Sequence, residues 1–409
     1  MVSMAPIKNN LQLNSKANKG YSQLLSIILL SGVFIGFFRF WTYKIIGYAI
    51  IGAIIFILAW LFILLDYFLK NKDRAITGKL VQAWLIFLTF ICLMYLMFPN
   101  TRKFYNEYME NLIVMLCIGV PGVVLIGKVD NIHEMLLTMG PYLRSATVLW
   151  CGSYSLGAID FVGSMGWGSR MVPLAIFYYL YIREVDKKKI IDIILFSIAL
   201  LFSFLGGRQS MLFVVVAIVF SFLFFTPTNK NWKNGVLKFI VVFFITLLIF
   251  FYNEFINSLI FLLNITGISS RSLNALVDGS LLDFTNRENN YKLSMEVIKK
   301  NGTNISGVFG DRYYLRQIAT TIAYPHNIAL ELLIDFGTGL GSVILICLIL
   351  GTILAFIFCK KELRAFYFAF LVYGVGRFLV SSSIFIEINF MVFIGLLFNK
   401  NIYKRKRKK

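Results

Sequence analysis

The chain of 409 residues is 58% hydrophobic and 16% aromatic, with only 15% charged residues, where a soluble domain carries about 25%. That composition excludes a soluble enzyme, a nucleic-acid-binding protein and a disordered tail protein. The net charge of +20, from 40 Lys and Arg against 20 Asp and Glu, belongs first to cytoplasmic loops that orient membrane helices, and only its surplus to an anionic ligand.

A helix crossing the hydrocarbon needs about 20 apolar residues. In chain order the apolar runs are 22–38, 45–69, 80–98, 111–127, 143–160, 168–182, 190–205, 210–226, 235–252, 339–358, 364–380 and 383–398. The fifth is diluted by Gly and Ser, and the sixth is short and contains Pro173. The first run ends in Phe38-Arg39-Phe40-Trp41 with no small-x-small cleavage site, so it reads as a retained membrane helix. The expected fold is all-α: a polytopic membrane bundle of about twelve helices, with one large external loop that contains short helices. Residues 1–252 form the first nine spans, 253–326 the loop, and 327–409 a re-entry helix, three spans and a basic tail.

Twelve spans put both termini on one side. The segments assigned inside are the N-terminus, 70–79, 128–144, 183–189, 227–238, 359–364 and the tail, which together hold 26 of the 40 basic residues. That satisfies the positive-inside rule, with both termini cytoplasmic. Of the 14 external basic residues, nine are Arg, whereas the inside set is mostly Lys. Charge alone serves topology, but the guanidinium fork suits phosphate and carboxylate oxygens. The external face therefore expects an anionic ligand.

Residues 253–326 are too long for a simple connection and read as a folded cap. Within them 288–300 is an amphipathic helix, with Tyr291, Met295 and Ile298 on one face, a Glu288–Lys292 i,i+4 pair, and a stop at Asn301-Gly302. The five cysteines (Cys92, Cys117, Cys151, Cys347, Cys359) lie in or beside apolar runs without a CxxC or a Cys/His cluster. Neither a disulfide framework nor a metal site is expected, and no cofactor is.

Four places carry candidate chemistry. Arg208 follows Leu205-Gly206-Gly207 in a tight turn near the external interface; it is either a snorkelling interfacial Arg or one held at a cavity floor. His326, in Tyr324-Pro325-His326-Asn327, is either a helix cap or an acid/base group, and Asn327 can also cap the helix that follows. On that helix Glu331 and Asp335 are spaced i,i+4, either buried against external Arg residues or lining a polar cavity. Arg377 and Glu387 flank the last external turn and are placed to join the same site. By contrast, Gly337-Thr338-Gly339-Leu340-Gly341 follows no strand and reads as close helix packing. His133, Glu134 and Arg144 lie in an inside connection and read as structural.

Gly206-Gly207-Arg208 opening a membrane helix, Arg287 followed by a helix, Gly302 and Gly307-Val308-Phe309-Gly310, and Pro325-His326-Asn327 leading to Glu331, Asp335, Gly337 and Gly341 together resemble the bacterial O-antigen ligase/polymerase family (the Wzy and WaaL type). The resemblance covers roughly 190–360; Arg170, in the Gly163–Arg170 turn, departs from the family's Asn-bearing motif. It implies a metal-independent glycosyltransferase of the membrane-embedded GT-C type in the bacterial plasma (inner) membrane, acting at the external face. The donor would be a glycan on undecaprenyl diphosphate and the acceptor a lipid-linked repeat unit, giving O-antigen or capsule; a chain-length regulator and a flippase would be partners. Arg208, His326 and Glu331 would be catalytic, and Arg287, Asn327, Arg312, Arg377 and Asp335 would bind substrate. A ligase using the same donor, a lipid-linked oligosaccharide flippase and a membrane scaffold are the alternatives.

Overall fold

The computed structural model describes residues 19–71, 74–185, 189–204, 213–225, 232–251, 254, 257–258, 260–261, 285–318, 325–376 and 383–403. Among these residues the chain is helical, and the one extended pairing is a single bridge between Cys359 and Tyr403. The first half holds α1 (Lys19–Leu29), α2 (Ser31–Ile46), α3 (Ala49–Asn71), α4 (Arg74–Met97), α5 (Arg102–Glu107), α6 (Met109–Ile126), α7 (Ile132–Tyr154) and α8 (Ala158–Glu184). The second holds α9 (Ile190–Phe204), α10 (Phe213–Phe225), α11 (Trp232–Phe250), α12 (Thr285–Asn301), α13 (Gly310–Ile318), α14 (Ile328–Asp335), α15 (Gly337–Phe358), α16 (Arg364–Gly374) and α17 (Ile388–Leu397). Four of them, α3, α4, α6 and α15, are long and apolar enough to cross a membrane, and α1 with α2 makes a fifth if the bent pair is one span. The protein is a helical membrane protein by this measure.

The helices break where side chains or prolines compete for the backbone. Between α1 and α2 the axis turns by 56°. There the Ser31 hydroxyl donates to the Ile28 carbonyl at 2.6 Å and that of Ser26 to Ser22 at 2.7 Å, local bonds of the kind that bend helices. In α6 a π turn spans Met115–Gly119: the Val120 N–H goes to the Met115 carbonyl, which leaves the Leu116 carbonyl without its usual donor. Residue 121 is Pro, so the Cys117 carbonyl loses its donor too. Two indoles fill both places, Trp84 on Leu116 and Trp60 on Cys117, each at 2.8 Å. The two bonds fasten α3 and α4 to α6.

Several boundaries differ from the sequence reading: α4 begins at Arg74 inside the expected 70–79 connection, α17 begins only at Ile388, and two more differ for a visible reason. Residues 128–144 were expected as a connection, but α7 starts at Ile132. Ile132, Met135, Leu136, Met139, Gly140 and Leu143 are buried at helical spacing, a stripe that mean apolarity over a long window cannot register among His133, Glu134 and Arg144. The expected turn at 163–170 is also helical, because α8 bends at Gly163 (φ 70°) and continues through Pro173. His133, Glu134 and Arg144 do make structural contacts: His133 meets Glu184 at 2.8 Å, the Glu134 N–H donates to Asn131, and Arg144 grips buried Asp192 with two nitrogens at 2.6 and 2.9 Å.

The connections gather at two ends. At one end 98–110, 302–318 and 383–389 meet: Gly307 packs on Phe98, and Arg316 forks onto Glu107 at 2.6 and 2.8 Å. At the other, the Asn399 amide donates to the Ile126 and Val129 carbonyls, the Lys360 N–H to Ile402, and the Asn401 amide to Asp130. A core rich in aromatic rings lies between, centred on Trp60, Trp150, Trp167 and Tyr178.

Candidate functional site

Of the segment 253–326, expected to fold as a cap, the described part 285–318 holds α12 and α13, and most of the rest lies outside the described residues. α12 stops at Asn301, with Gly302 at φ +57°, and the Glu288–Lys292 pair forms at 2.8 Å. Its packed face is turned from the expected one: Ser294, Val297 and Ile298 are buried, while Met295 is 44% exposed. α14 follows Pro325, and its cap is Asn327, whose Oδ1 accepts from the N–H groups of Ala329 and Leu330 at 2.9 and 3.4 Å. His326 precedes it, half-buried, in the left-handed region at φ +56°. So Asn327, one of the expected ligands of substrate, holds the helix end.

Glu331 and Asp335 lie inside the cap's junction with the bundle, not along a cavity; they are 1% and 0% exposed. The Asp335 Oδ1 accepts the Asp311 N–H at 2.8 Å, near the start of α13, where a carboxylate complements the helix dipole. Its carbonyl accepts the N–H groups of Ser306 and Gly307, both at 2.9 Å. Glu331 accepts the Ser383 hydroxyl on Oε1 and the Ile384 N–H on Oε2 at 3.4 Å. Arg312 was expected on the ligand face but is fully buried. Its guanidinium is 3.8 Å from Asp311 and lies over the Tyr108 ring at 4.2 Å and the Phe309 ring at 5.3 Å. Asp311, the residue that sequence reasoning missed, completes the cluster.

Three buried carboxyls thus share one buried guanidinium. Burial pushes Asp311, Glu331 and Asp335 up, and their mutual charge pushes Glu331 and Asp335 further, Glu331 to about 8. Burial works against the Arg312 charge, yet Asp311 and Glu331 outweigh it and hold the guanidinium ionised. Protons neutralise what Arg312 does not. Among the described residues no three His, Cys, Asp or Glu side chains are grouped to hold a metal ion. The cluster is a knot that ties α13 and α14 to the 383–384 segment, and its atoms face no open space.

The open space is next to it. A cleft of about 260 Å³ enters the same end of the bundle, lined by Arg39, Glu110, Arg170, Glu387 and Asn389. Arg39 pairs with Glu110. Arg170 crosses α2 at Gly36, where a Cβ would stand 2.6 Å from its Nε, so only glycine admits it there. The bend after α1 sets the other wall, where Leu29, Gly32, Val33 and Ile35 line the cleft. Nothing stands within 4 Å of where a Gly32 Cβ would be. The arrangement offers guanidinium donors, carboxylate and amide groups for hydroxyls, and an apolar flank, which suits an amphipathic ligand with an oxyanion and sugars.

Of the expected site residues, Arg312, Glu331 and Asp335 come together in the buried knot, with Asn327 at the start of the same helix. Glu387 reaches the cleft, as expected for its turn, and Arg170 joins it from α8. Arg287 falls in the first turn of α12, but its side chain lies outside the described residues, as do Arg208 and Arg377. The glycine run after Asp335 is close packing: Cβ atoms at Gly337 and Gly341 would stand 2.4 Å from the Thr303 and Leu332 carbonyl oxygens. Arg39 and Glu110 carried no motif; the excess of external Arg was the signal that could have found Arg39. Comparison with protein-family models, curated proteins and solved structures gives no match to this chain.

Proposed function

We propose that the protein is a membrane-embedded glycosyltransferase that polymerises undecaprenyl-diphosphate-linked oligosaccharide repeat units into a surface polysaccharide. In this reading it has the GT-C-like plan of about twelve spans in the bacterial plasma membrane, with both termini cytoplasmic and the cleft outside. The observation that carries it is the cleft, which combines Arg39 and Arg170 with hydroxyl-binding groups and an apolar flank. The sidedness is supported by the way segments group: 98–110, 302–318 and 383–389 fall together at one end, and each lies in or next to a segment assigned outside by the charge rule.

The acceptor hydroxyl attacks the anomeric carbon of the donor glycan, the bond from that carbon to the diphosphate oxygen breaks, and lipid diphosphate leaves. Negative charge grows on the leaving group, and fixed guanidinium donors stabilise it without a metal. Arg170 and Arg39 take that role, with Arg208 and Arg287 as the clamps implied by the family resemblance. In this reading Glu387, which lines the cleft, accepts the hydroxyl proton, and His326 keeps the role implied by the resemblance, a hydrogen bond to the diphosphate. Glu331, buried and raised to about 8, is relieved of the part of base.

Purified protein in proteoliposomes, given the lipid-diphosphate-linked repeat, is expected to produce a ladder of polymer on a gel, with turnover that survives EDTA. Arg170→Lys keeps the charge but loses the fork, and is expected to cost on the order of 10²–10³ in rate, nearly as much as Arg170→Ala. Transfer only to an acceptor that carries no lipid diphosphate would make the protein a ligase. Movement of labelled lipid across the bilayer with no new glycosidic bond would make it a transporter.

A further inference from the structure

We propose that Glu331 is a positioning residue for the cleft: through Ser383 and Ile384 it holds the 383–389 segment so that Glu387 and Asn389 stand in the cleft wall. The chain of contacts is short. The Ser383 hydroxyl and the Ile384 N–H both donate to the Glu331 carboxyl. Ile386, Glu387, Ile388 and Asn389 line the cleft immediately afterwards, and Asn389 is fixed in turn by its amide, which donates to the Tyr373 hydroxyl at 3.1 Å. α17 begins at Ile388, and the residue at its start, Glu387, makes no side-chain cap bond. The start of α17 thus lies between two supports, the Glu331 bonds before it and the Tyr373 bond within its first turn.

Glu331 itself cannot drift. Asp335, one turn on, is bonded to the Asp311, Ser306 and Gly307 N–H groups, so α14 and the cap move as one piece. The position of the cap is thereby passed to the cleft wall through the Glu331 carboxyl, beside the ring contact of Phe309 with Phe385 at 6.1 Å. The competing explanation is packing alone, because Ile328 and Leu332 of α14 also form an apolar cluster with Ile384 and Phe390. Packing and hydrogen bonding make opposite predictions for an apolar residue at 331.

The test uses the full chain with Glu387→Cys as a reporter in proteoliposomes. Its labelling by a membrane-impermeant maleimide is followed by mass spectrometry of the peptide, which separates it from the five native cysteines. Three backgrounds are compared. Glu331→Leu keeps the volume and removes both acceptor oxygens, Glu331→Gln keeps an acceptor, and Ser383→Ala removes one donor while leaving the buried carboxyl in place. Loss of a buried hydrogen bond shifts a local equilibrium by roughly tenfold. Labelling is therefore expected to change about that much in Glu331→Leu, by a smaller factor in Ser383→Ala, and least in Glu331→Gln.

Unchanged labelling in both Glu331→Leu and Ser383→Ala would overturn the proposal in favour of packing. So would a Gln variant that behaves like the Leu variant, since the acceptor would then be irrelevant. Ser383→Ala keeps the test intact if Glu331→Leu fails to fold. Labelling needs no turnover, so its outcome stands apart from the glycosyltransferase reading. A kinetic arm rests on that reading: KM for the lipid-linked donor is expected to rise in Ser383→Ala.

Discussion

Replacing Gly341 by Ala tests whether the approach of α14 to α15 sets the geometry of the cap. A Cβ there would stand 2.4 Å from the Leu332 carbonyl oxygen, 2.9 Å from its carbon and 3.0 Å from the Leu333 Cα. All three are backbone atoms, so no rotamer relieves the clash. Reaching ordinary contact at 3.4 Å means opening the helices by about 1 Å. Overpacking of this kind costs about 1–3 kcal/mol, against which the better helix propensity of Ala returns about 1 kcal/mol. Gly339→Ala, two residues earlier on the same helix, meets nothing within 4 Å and isolates the propensity gain. In thermal unfolding in detergent, Gly341→Ala is expected to melt below wild type and Gly339→Ala at or above it. Because Leu332 adjoins Glu331, Gly341→Ala should also raise hydrogen exchange in 302–316. Equal melting of the two variants would refute the close approach and, with it, the rigid placement of Glu331.

Three further outcomes are expected. Glu331 is raised from 4.5 to about 8, so its contribution to stability is fully present below about pH 4.5 and is lost as pH rises through 8; protection of the cap amides, after correction for the base-catalysed intrinsic exchange rate, is expected to be lower at pH 9 than at pH 6, and a cap more protected at pH 9 would contradict the sign. Trp60→Phe keeps a six-membered aromatic ring but removes the indole N–H and some buried volume, leaving the Cys117 carbonyl without its donor at a cost of about 1–3 kcal/mol or more in a melting experiment, and Trp84→Phe, with a less buried ring, should cost less. A reporter fused after Lys409 should read inside and a cysteine near Asn301 should label from outside; external labelling of the tail would remove the sidedness on which the cleft's role depends.

Much of the helical plan was legible because the signals are local. A Gly after Asn301, an Asn before Ile328 and a Glu four residues ahead of Lys292 act within one turn, and each does what its chemistry dictates. The glycines at 337 and 341 were likewise legible as packing residues. What was not legible depends on partners far along the chain. Asp311 looks like a solvated loop acid until Asp335, 24 residues on, binds its N–H. The face of α12 was misplaced because Met295 is apolar and Ser294 is not. The helix nonetheless packs through the small Ser294, whose hydroxyl is satisfied by the Asn290 carbonyl at 2.7 Å.

The same limit explains why residue type alone could not place Arg312 and Arg170. Arg312 belongs to a segment resembling a ligand-binding loop, yet it is sealed under Tyr108 and Phe309 with carboxyls that hold its charge. A guanidinium enclosed in this way has no path to a diphosphate, and removing it would strand buried acid groups. Arg170 departs from the family pattern, yet it faces open space because Gly36 gives it passage and the bend after Leu29 opens the wall beside it. Burial therefore separates the charges at this end of the bundle: Arg312 and its carboxyls are enclosed, whereas Arg39, Arg170 and Glu387 line the cleft, Arg39 in a pair with Glu110. Under the proposed function the groups offered to a ligand are then those of α2, α8 and the turn before α17, and the buried knot holds that turn.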